Sequence, residues 1–82
     1  MNDVEARVRK VLSEVLGIPV EEISKGARFV EDLHAESIQS IELVAGFEAE
    51  FDVEMDEDEA LDVKNVADAV TFISRHLEAQ HG

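Results

Sequence analysis

The fold is decided by one stretch of the chain, Ser37-Ile38-Gln39-Ser40-Ile41-Glu42-Leu43-Val44-Ala45-Gly46-Phe47-Glu48-Ala49-Glu50-Phe51. At about 100° per residue, a helix over this stretch gathers one apolar set on a single side: Ile41, Val44, Phe47 and Phe51. The opposite side mixes an acid with apolar side chains: Ile38, Glu42, Ala45 and Ala49. We expect the first set to face the core. The second set resembles a docking surface, which binds through apolar contact and steers partners by charge.

Amphipathic patterns also occur before and after this stretch. The first helix carries one apolar stripe of Val4, Val8, Val11, Leu12 and Val15. Asn2 is its expected cap with Glu5 as capping-box partner, and Gly17 and Pro19 end it. The last helix begins near Asn65, with Asp68 as its box partner, and frays after Leu77. Its stripe is Val66, Ala69, Val70, Ile73 and Leu77.

A short helical turn is expected at residues 57–62, capped by Asp56 with Glu59 as its partner. A long loop follows the first helix, and four apolar side chains are spaced through it to pin it to the core: Ile18, Ile23, Phe29 and Leu33. No segment alternates as a strand would. The sequence therefore predicts a single all-α domain over residues 1–82, a small four-helix bundle of three main helices and one short one.

Composition narrows the function classes. Cysteine is absent, so the chain has neither a disulfide framework nor a thiolate zinc site of its own. The charged residues at its start leave no apolar core for a secretory signal. The apolar run at residues 43–47 is far shorter than the about 20 residues that span a bilayer. We expect a soluble, cytoplasmic protein without membrane insertion.

The net charge of −13 is concentrated in one segment. Residues 29–62 hold thirteen acidic side chains and no Lys or Arg, while residues 1–28 and 63–82 are each neutral. Such a field repels nucleic acid and steers basic partners toward the segment. We expect a monomer that binds basic protein surfaces and no nucleic acid.

Two other classes fit the sequence poorly. Acidic residues alternate from Asp52 to Asp58, but a calcium-binding EF-hand loop counted from Asp52 would need Gly where Glu57 stands and Glu where Val63 stands. The three histidines have no metal-ligand spacing, and no nucleophile-elbow or phosphate-loop glycine pattern occurs. We therefore expect no metal site, no catalytic residue and no enzyme.

Ser37 stands where the second main helix begins. A serine there commonly serves as an N-cap. An exposed hydroxyl at a helix N-terminus also suits a phosphoester, because free N–H groups and the helix dipole favour negative charge. Helix geometry alone does not separate these two roles.

The residues around Ser37 carry a family resemblance. The stretch Asp32-Leu33-His34-Ala35-Glu36-Ser37-Ile38 resembles the attachment motif of acyl carrier proteins, usually Asp-Leu-Gly-Ala-Asp-Ser-Leu. The approach at residues 29–33 and the segments 41–44, 47–51 and 66–73 are also similar to the family, as is the first helix through Leu16-Gly17. The resemblance covers nearly the whole chain.

This resemblance implies that Ser37 receives 4′-phosphopantetheine from coenzyme A through a separate phosphopantetheinyl transferase. The arm's thiol would then carry acyl groups as thioesters to acyl-transferring, chain-elongating or acyl-ligating enzymes with basic docking patches. The pathway implied is fatty-acid or related lipid or polyketide biosynthesis. By resemblance, the partner-binding residues are Glu36, Ile38, Glu42, Ala45, Glu48 and Glu54. The family also shelters the acyl chain between its helices, and the candidate lining residues are Val8, Leu12, Val44, Phe47, Val66, Val70 and Ile73.

The chain departs from the family pattern at several positions. Glu36, Ile38 and His34 replace the usual Asp, Leu and Gly, and further departures fall at Gln39, Ala49 and Asp56. These differences favour a specialised carrier over the housekeeping fatty-acid carrier. Two alternatives stay open: a peptidyl or aminoacyl carrier, and an unmodified acidic interaction module in which Ser37 is only a cap.

Overall fold

Four α-helices make up most of the computed structural model, which describes residues 3–81 and the side chains of residues 3–79. They are α1 (Asp3–Leu16), α2 (Ser37–Phe51), α3 (Glu57–Leu61) and α4 (Val66–His81). One 3-10 turn at Val20–Glu22 lies in the long loop between α1 and α2. Within the described part of the chain there is no strand. The predicted all-α bundle of three main helices and one short one is confirmed.

Helix α1 buries the stripe that its sequence predicts. Val8 and Leu12 are fully buried, Val11 is nearly so, and Val4 and Val15 pack against the core at its edges. The helix ends where expected, because Gly17 takes a φ of 70°, a left-handed conformation that glycine adopts without a Cβ clash. The predicted cap, Asn2, lies outside the described residues.

Helix α2 differs from its sequence-based expectation at one core position. Val44, Phe47 and Phe51 are buried as predicted. The prediction that Ile41 also faces the core is wrong, since its side chain is 51% exposed and Leu43 is buried instead. Leu43 and Ile41 point about 160° apart around a helix, so burying one turns the other toward solvent.

Helices α3 and α4 begin at the predicted caps. The Asp56 carboxylate accepts a hydrogen bond from the Glu59 N–H at 3.1 Å, and the Asn65 side-chain oxygen accepts one from the Asp68 N–H at 2.8 Å. These bonds satisfy N–H groups that have no acceptor inside the helix. Helix α4 continues to His81, four residues beyond the Leu77 position at which fraying was expected.

The long loop is attached to the bundle by side chains and by backbone. Ile23, Phe29 and Leu33 are buried and Ile18 packs against the core, which confirms the predicted anchoring. An antiparallel bridge joins Arg28 to Asn65. In it, the Phe29 N–H donates to the Lys64 carbonyl at 2.9 Å, and the Val66 N–H donates to the Ala27 carbonyl at 3.0 Å. The loop that precedes α2 is therefore fixed to the start of α4.

Ion pairs connect α1 to α2. The Glu50 carboxylate lies 2.8 Å from Arg7 Nε and 3.3 Å from Lys10 Nζ. The Arg7 guanidinium also lies 4.4 Å from the centroid of the Phe51 ring, within the range of a cation–π contact. Hydrogen bonds from Arg7 and then Lys10 lower the pKa of Glu50. One of the thirteen acids in the acidic segment is thus neutralised by cations of α1.

Candidate functional site at the start of helix α2

The loop that leads to Ser37 is held by a clamp between Arg28 and Asp32. The Asp32 carboxylate accepts from the Arg28 backbone N–H at 2.8 Å, from its Nε at 3.0 Å and from its Nη2 at 3.1 Å. The side-chain hydrogen bonds, and after them the backbone hydrogen bond, lower the pKa of Asp32 to about 2. Asp32 is the first residue of the quoted motif, and its carboxylate stays ionised at neutral pH.

His34 gives the loop its turn into α2. Its backbone has a φ of 61°, the left-handed region that glycine fills most easily. The His34 N–H donates to the Val30 carbonyl at 3.1 Å, and the Ala35 N–H donates to the Phe29 carbonyl at 2.9 Å. The side chain of His34 is exposed, while that of Ala35 is buried. The turn explains why glycine is usual at this point of the motif.

Glu36, and not Ser37, is the N-cap of α2. The Gln39 side-chain oxygen accepts a hydrogen bond from the Glu36 N–H at 2.8 Å, as a capping-box partner does. Ser37 is the first helical residue, its side chain is exposed, and its hydroxyl bonds to no other described residue. The interpretation of Ser37 as a helix cap is therefore wrong.

The surroundings of the Ser37 hydroxyl suit a phosphopantetheine group. In the first turn of an α-helix the N–H groups of Ser37 and Ile38 have no acceptor within the helix, and the helix dipole is positive there. A phosphodiester on the Ser37 oxygen would have its negative charge at these donors. The hydroxyl is accessible to an enzyme, and no hydrogen bond has to be broken to use it.

The predicted partner-binding residues do not all share one surface. Ile38, Glu42 and Ala45 lie exposed on one face of α2, and Glu36 directly precedes that helix. Glu54 is exposed in the connection to α3.

Glu48 is only half-exposed, and its carboxylate accepts from the Met55 backbone N–H at 2.9 Å. This carboxylate stabilises the turn after α2, a structural role that the sequence did not reveal.

Ile41 extends the exposed apolar face. Its side chain is 51% exposed and that of Ile38 is 64% exposed. The two residues are three positions apart, and Ala45 follows four positions after Ile41, so they are neighbours on the helix surface. The helical spacing of Ile41 with Ile38 and Ala45 could have assigned it to this face, but the prediction from the sequence had placed it facing the core. The apolar face defined by Ile38, Ile41 and Ala45 lies beside Glu42.

An apolar cavity of about 30 Å³ lies between α2, α3 and α4. Three of the candidate lining residues, Val44, Phe47 and Ile73, do line it. Val8, Leu12 and Val66 instead lie fully buried in the core, and Val70 packs at the edge of that core. The remaining lining residues are Phe29, Ser40, Leu43, Met55, Ala60, Leu61, Val63, Ala69 and Phe72. Ser40 follows Ser37 by one helical turn.

No group of three or more His, Asp or Glu side chains in residues 3–79 is arranged to hold a metal ion. None of the helices found between residues 3 and 81 is both long enough and apolar enough to cross a membrane.

Comparisons with known proteins identify the family of this chain. Residues 6–73 match the family described as "Phosphopantetheine attachment site". The chain is 44% identical over 75 residues to the acyl carrier protein of Sinorhizobium fredii and to acyl carrier protein AcpP of Rhizobium meliloti, covering 92% of this chain and 96% of each relative. It is also 44% identical to the acyl carrier protein of Phenylobacterium zucineum, covering 96% of this chain and 100% of that relative. The chain therefore belongs to the acyl carrier protein family, whose members are built around an attachment site for phosphopantetheine.

Proposed function

We propose that Ser37 is the residue to which 4′-phosphopantetheine is attached, and that the chain carries acyl groups on this arm to the enzymes of fatty-acid or related lipid biosynthesis. The observation that carries the proposal is the state of the Ser37 hydroxyl, which is exposed and unbonded at the first residue of α2. Ser40, the nearest other serine, is half-buried and lines the apolar cavity. Of these two residues Ser37 is the more exposed, which favours it as the one that is modified.

The attachment is a phosphoryl transfer. The Ser37 oxygen forms a new bond to the phosphorus that bears the pantetheine of coenzyme A, and the bond from that phosphorus to the bridging pyrophosphate oxygen breaks. The adenosine bisphosphate part of coenzyme A leaves, and the hydroxyl proton passes to a base of the transferase or to water. When bound, the arm supplies a thiol that holds acyl groups as thioesters, a function that this cysteine-free chain lacks.

Partner enzymes are proposed to bind beside the arm. The acidic residues Glu36, Glu42, Glu48 and Glu54 would meet basic patches, and Ile38 and Ala45 would make the apolar contact. Ile41 belongs with the apolar contact residues because it is exposed next to Ile38. The partners are a phosphopantetheinyl transferase and acyl-transferring, chain-elongating or acyl-ligating enzymes.

The chain is proposed to act as a single domain and a monomer, without catalysis of its own. Pairing two copies through α2 would bring two acidic segments together, which like-charge repulsion disfavours. We place the protein in the cytoplasm, where coenzyme A and these enzymes meet. The departures at His34, Glu36 and Ile38 support a specialised carrier with its own choice of transferase.

Intact mass after incubation with coenzyme A, magnesium and a broad-specificity phosphopantetheinyl transferase tests the proposal. We expect the parent chain to gain the mass of one phosphopantetheine. Ser37→Ala should gain nothing, whereas Ser40→Ala, the matched control one turn later, should load as the parent does. Loading of Ser37→Ala would contradict the proposal. A folded, unloaded parent that gains no mass with this transferase or with one from its own genome would support an unmodified interaction module.

A further inference from the structure

The apolar cavity between α2, α3 and α4 is too small for an acyl chain as it stands. Its volume is about 30 Å³. One water molecule already needs about 10–15 Å³ of such space. A chain of several methylene groups therefore enters only if a wall of the cavity moves, and the wall that moves most easily decides how much of the chain is sheltered.

Several walls of this cavity are backed by packed protein. Leu43, Phe47 and Ile73 line the cavity and belong to the buried core. Protein interiors are close-packed, so displacing one of these side chains means repacking its neighbours, which is costly. These walls are not the ones that a chain would move first.

One wall has open space behind it. A surface groove of about 340 Å³ lies between the segment after α3 and helix α4, and its lining residues are Asp62, Val63, Asp68, Thr71, Phe72 and Arg75. Val63 and Phe72 line both the cavity and the groove. These two half-buried apolar side chains form the partition between the buried space and the open one.

The Phe72 ring is the larger part of this partition. The His76 ring, one turn further along α4, packs on it with the ring centroids 4.5 Å apart. His76 is itself half-exposed, so it steadies the Phe72 ring without enclosing it. The ring can therefore change rotamer toward the groove while the core stays packed.

We propose that Phe72, together with Val63, sets the length of the longest acyl chain that this protein shelters. This inference rests on the proposed attachment at Ser37, and the favoured cargo is a saturated chain that ends at the Phe72 ring. The chain enters beside Ser40, one helical turn after Ser37, and its tail stops at the partition. A longer chain turns Phe72 aside and reaches a groove with charged walls, where further methylene groups gain little apolar burial.

The rate of thioester cleavage as a function of chain length tests this role. The transferase loads each protein with acyl-phosphopantetheine from saturated acyl coenzyme A, in two-carbon steps from butyryl to tetradecanoyl. Hydroxylamine then attacks the thioester carbonyl and the carbon–sulfur bond breaks, which releases the hydroxamate and leaves the arm as a free thiol. Since a sheltered chain draws its thioester toward the protein, we expect cleavage of the parent to slow with each step and then to level off.

Phe72→Ala leaves the space of the ring to the chain. Its cleavage should continue to slow for at least one two-carbon step beyond the limit of the parent. Val63→Ala removes the smaller part of the partition and should move the limit in the same direction, which keeps the test available if Phe72→Ala does not fold. Leu77→Ala is the matched control: it removes another half-buried side chain of α4, one that lines neither space, and should keep the limit of the parent.

The same limit in the parent and in both partition variants would overturn the role of Phe72, and so would an equal shift in Leu77→Ala. Intact mass is measured on each sample first. A loaded parent whose cleavage does not depend on chain length defeats this inference alone. A parent that no transferase loads defeats the proposed function as well.

Discussion

Gly46 of α2 lies directly against Val11 of α1: a Cβ built on Gly46 would come within 2.8 Å of the Val11 Cγ1 atom. Carbon atoms in van der Waals contact are about 3.5–4.0 Å apart, so this position admits only glycine unless Val11 moves. The glycine therefore sets how closely the two helices approach, in the middle of the helix that carries the site.

Gly46→Ala is expected to destabilise the protein by about 1 kcal/mol. Overpacking against Val11 costs about 1–3 kcal/mol, and the better helix propensity of alanine returns up to about 1 kcal/mol. Urea unfolding measures the change. Gly26→Ala is the matched control because nothing lies within 4 Å of its added Cβ, and it should be nearly neutral.

The double variant Val11→Ala/Gly46→Ala separates this clash from other effects. Removing the two Val11 methyl groups makes room for the new Cβ, so the double variant should lose less stability than the sum of the single ones. A Gly46→Ala protein as stable as the parent would show that α1 and α2 separate without cost.

His34→Gly is expected to stabilise the fold by up to about 1 kcal/mol at pH 8. A non-glycine residue in the left-handed region costs about 1–2 kcal/mol, and the larger unfolded-state entropy of glycine cancels part of the gain. Thermal or urea unfolding gives the value. Ser24→Gly, at another exposed loop position whose φ is not positive, should instead lose stability. Equal losses in both variants would contradict the strain assigned to His34.

Glu48→Ala is expected to cost about 1–2 kcal/mol, because the half-exposed Glu48 carboxylate accepts the Met55 N–H and the variant removes that acceptor. Glu48→Gln keeps an acceptor oxygen and should cost clearly less. Glu42→Ala, an exposed acid on the same helix, should change stability by no more than about 0.5 kcal/mol. Docking assays on Glu48 should therefore use Glu48→Gln, which keeps the acceptor oxygen. Equal stability of the Glu48→Ala and Glu48→Gln variants would contradict this structural role.

The Arg28–Asp32 clamp should make stability depend on acid pH. The pKa of Asp32 is lowered from its ordinary 3.8 to about 2, chiefly by hydrogen bonds from Arg28. A carboxyl with a lowered folded-state pKa adds stability above its unfolded pKa and loses it as pH falls through the folded one. The stability gap between the parent and Asp32→Asn should be widest above about pH 5 and close toward pH 2.

Urea unfolding at a series of pH values measures this gap, and carboxyl-carbon NMR measures the titration of Asp32 directly. In Arg28→Gln the pKa of Asp32 should return toward 3.8. An Asp32 that titrates near 3.8 in the parent would show that the clamp does not form in solution.

The helical pattern predicted the bundle because burial follows periodicity closely. Val8, Leu12 and Ile73 lie where their stripes place them. Periodicity was less informative in the first half of α2, where both Ile41 and Leu43 are apolar and either could have faced the core. Packing against the neighbouring helices buried Leu43 and left Ile41 exposed. The choice of core residue depended on α1 and α4, which a helical wheel of α2 does not contain.

The motif alone predicted Ser37 as the attachment residue, and that assignment stays a prediction. The motif singled out Ser37, but the competing role as a cap was removed only when the structure placed Glu36 in that position. The contact from Glu48 to Met55 spans a turn whose path no local pattern encodes. Likewise, the pairing of Glu50 with Arg7 and Lys10 depends on how two helices meet.

The bridge between Arg28 and Asn65 has a consequence for hydrogen exchange. The amides of Phe29 and Val66 lie 37 residues apart in the chain, yet each is protected by a carbonyl of the other's segment. An opening that frees one of them breaks the same backbone pairing that protects the other. The two amides should therefore exchange as one cooperative unit, so that a disturbance at the start of α4 reaches the loop before Ser37 without passing through α2.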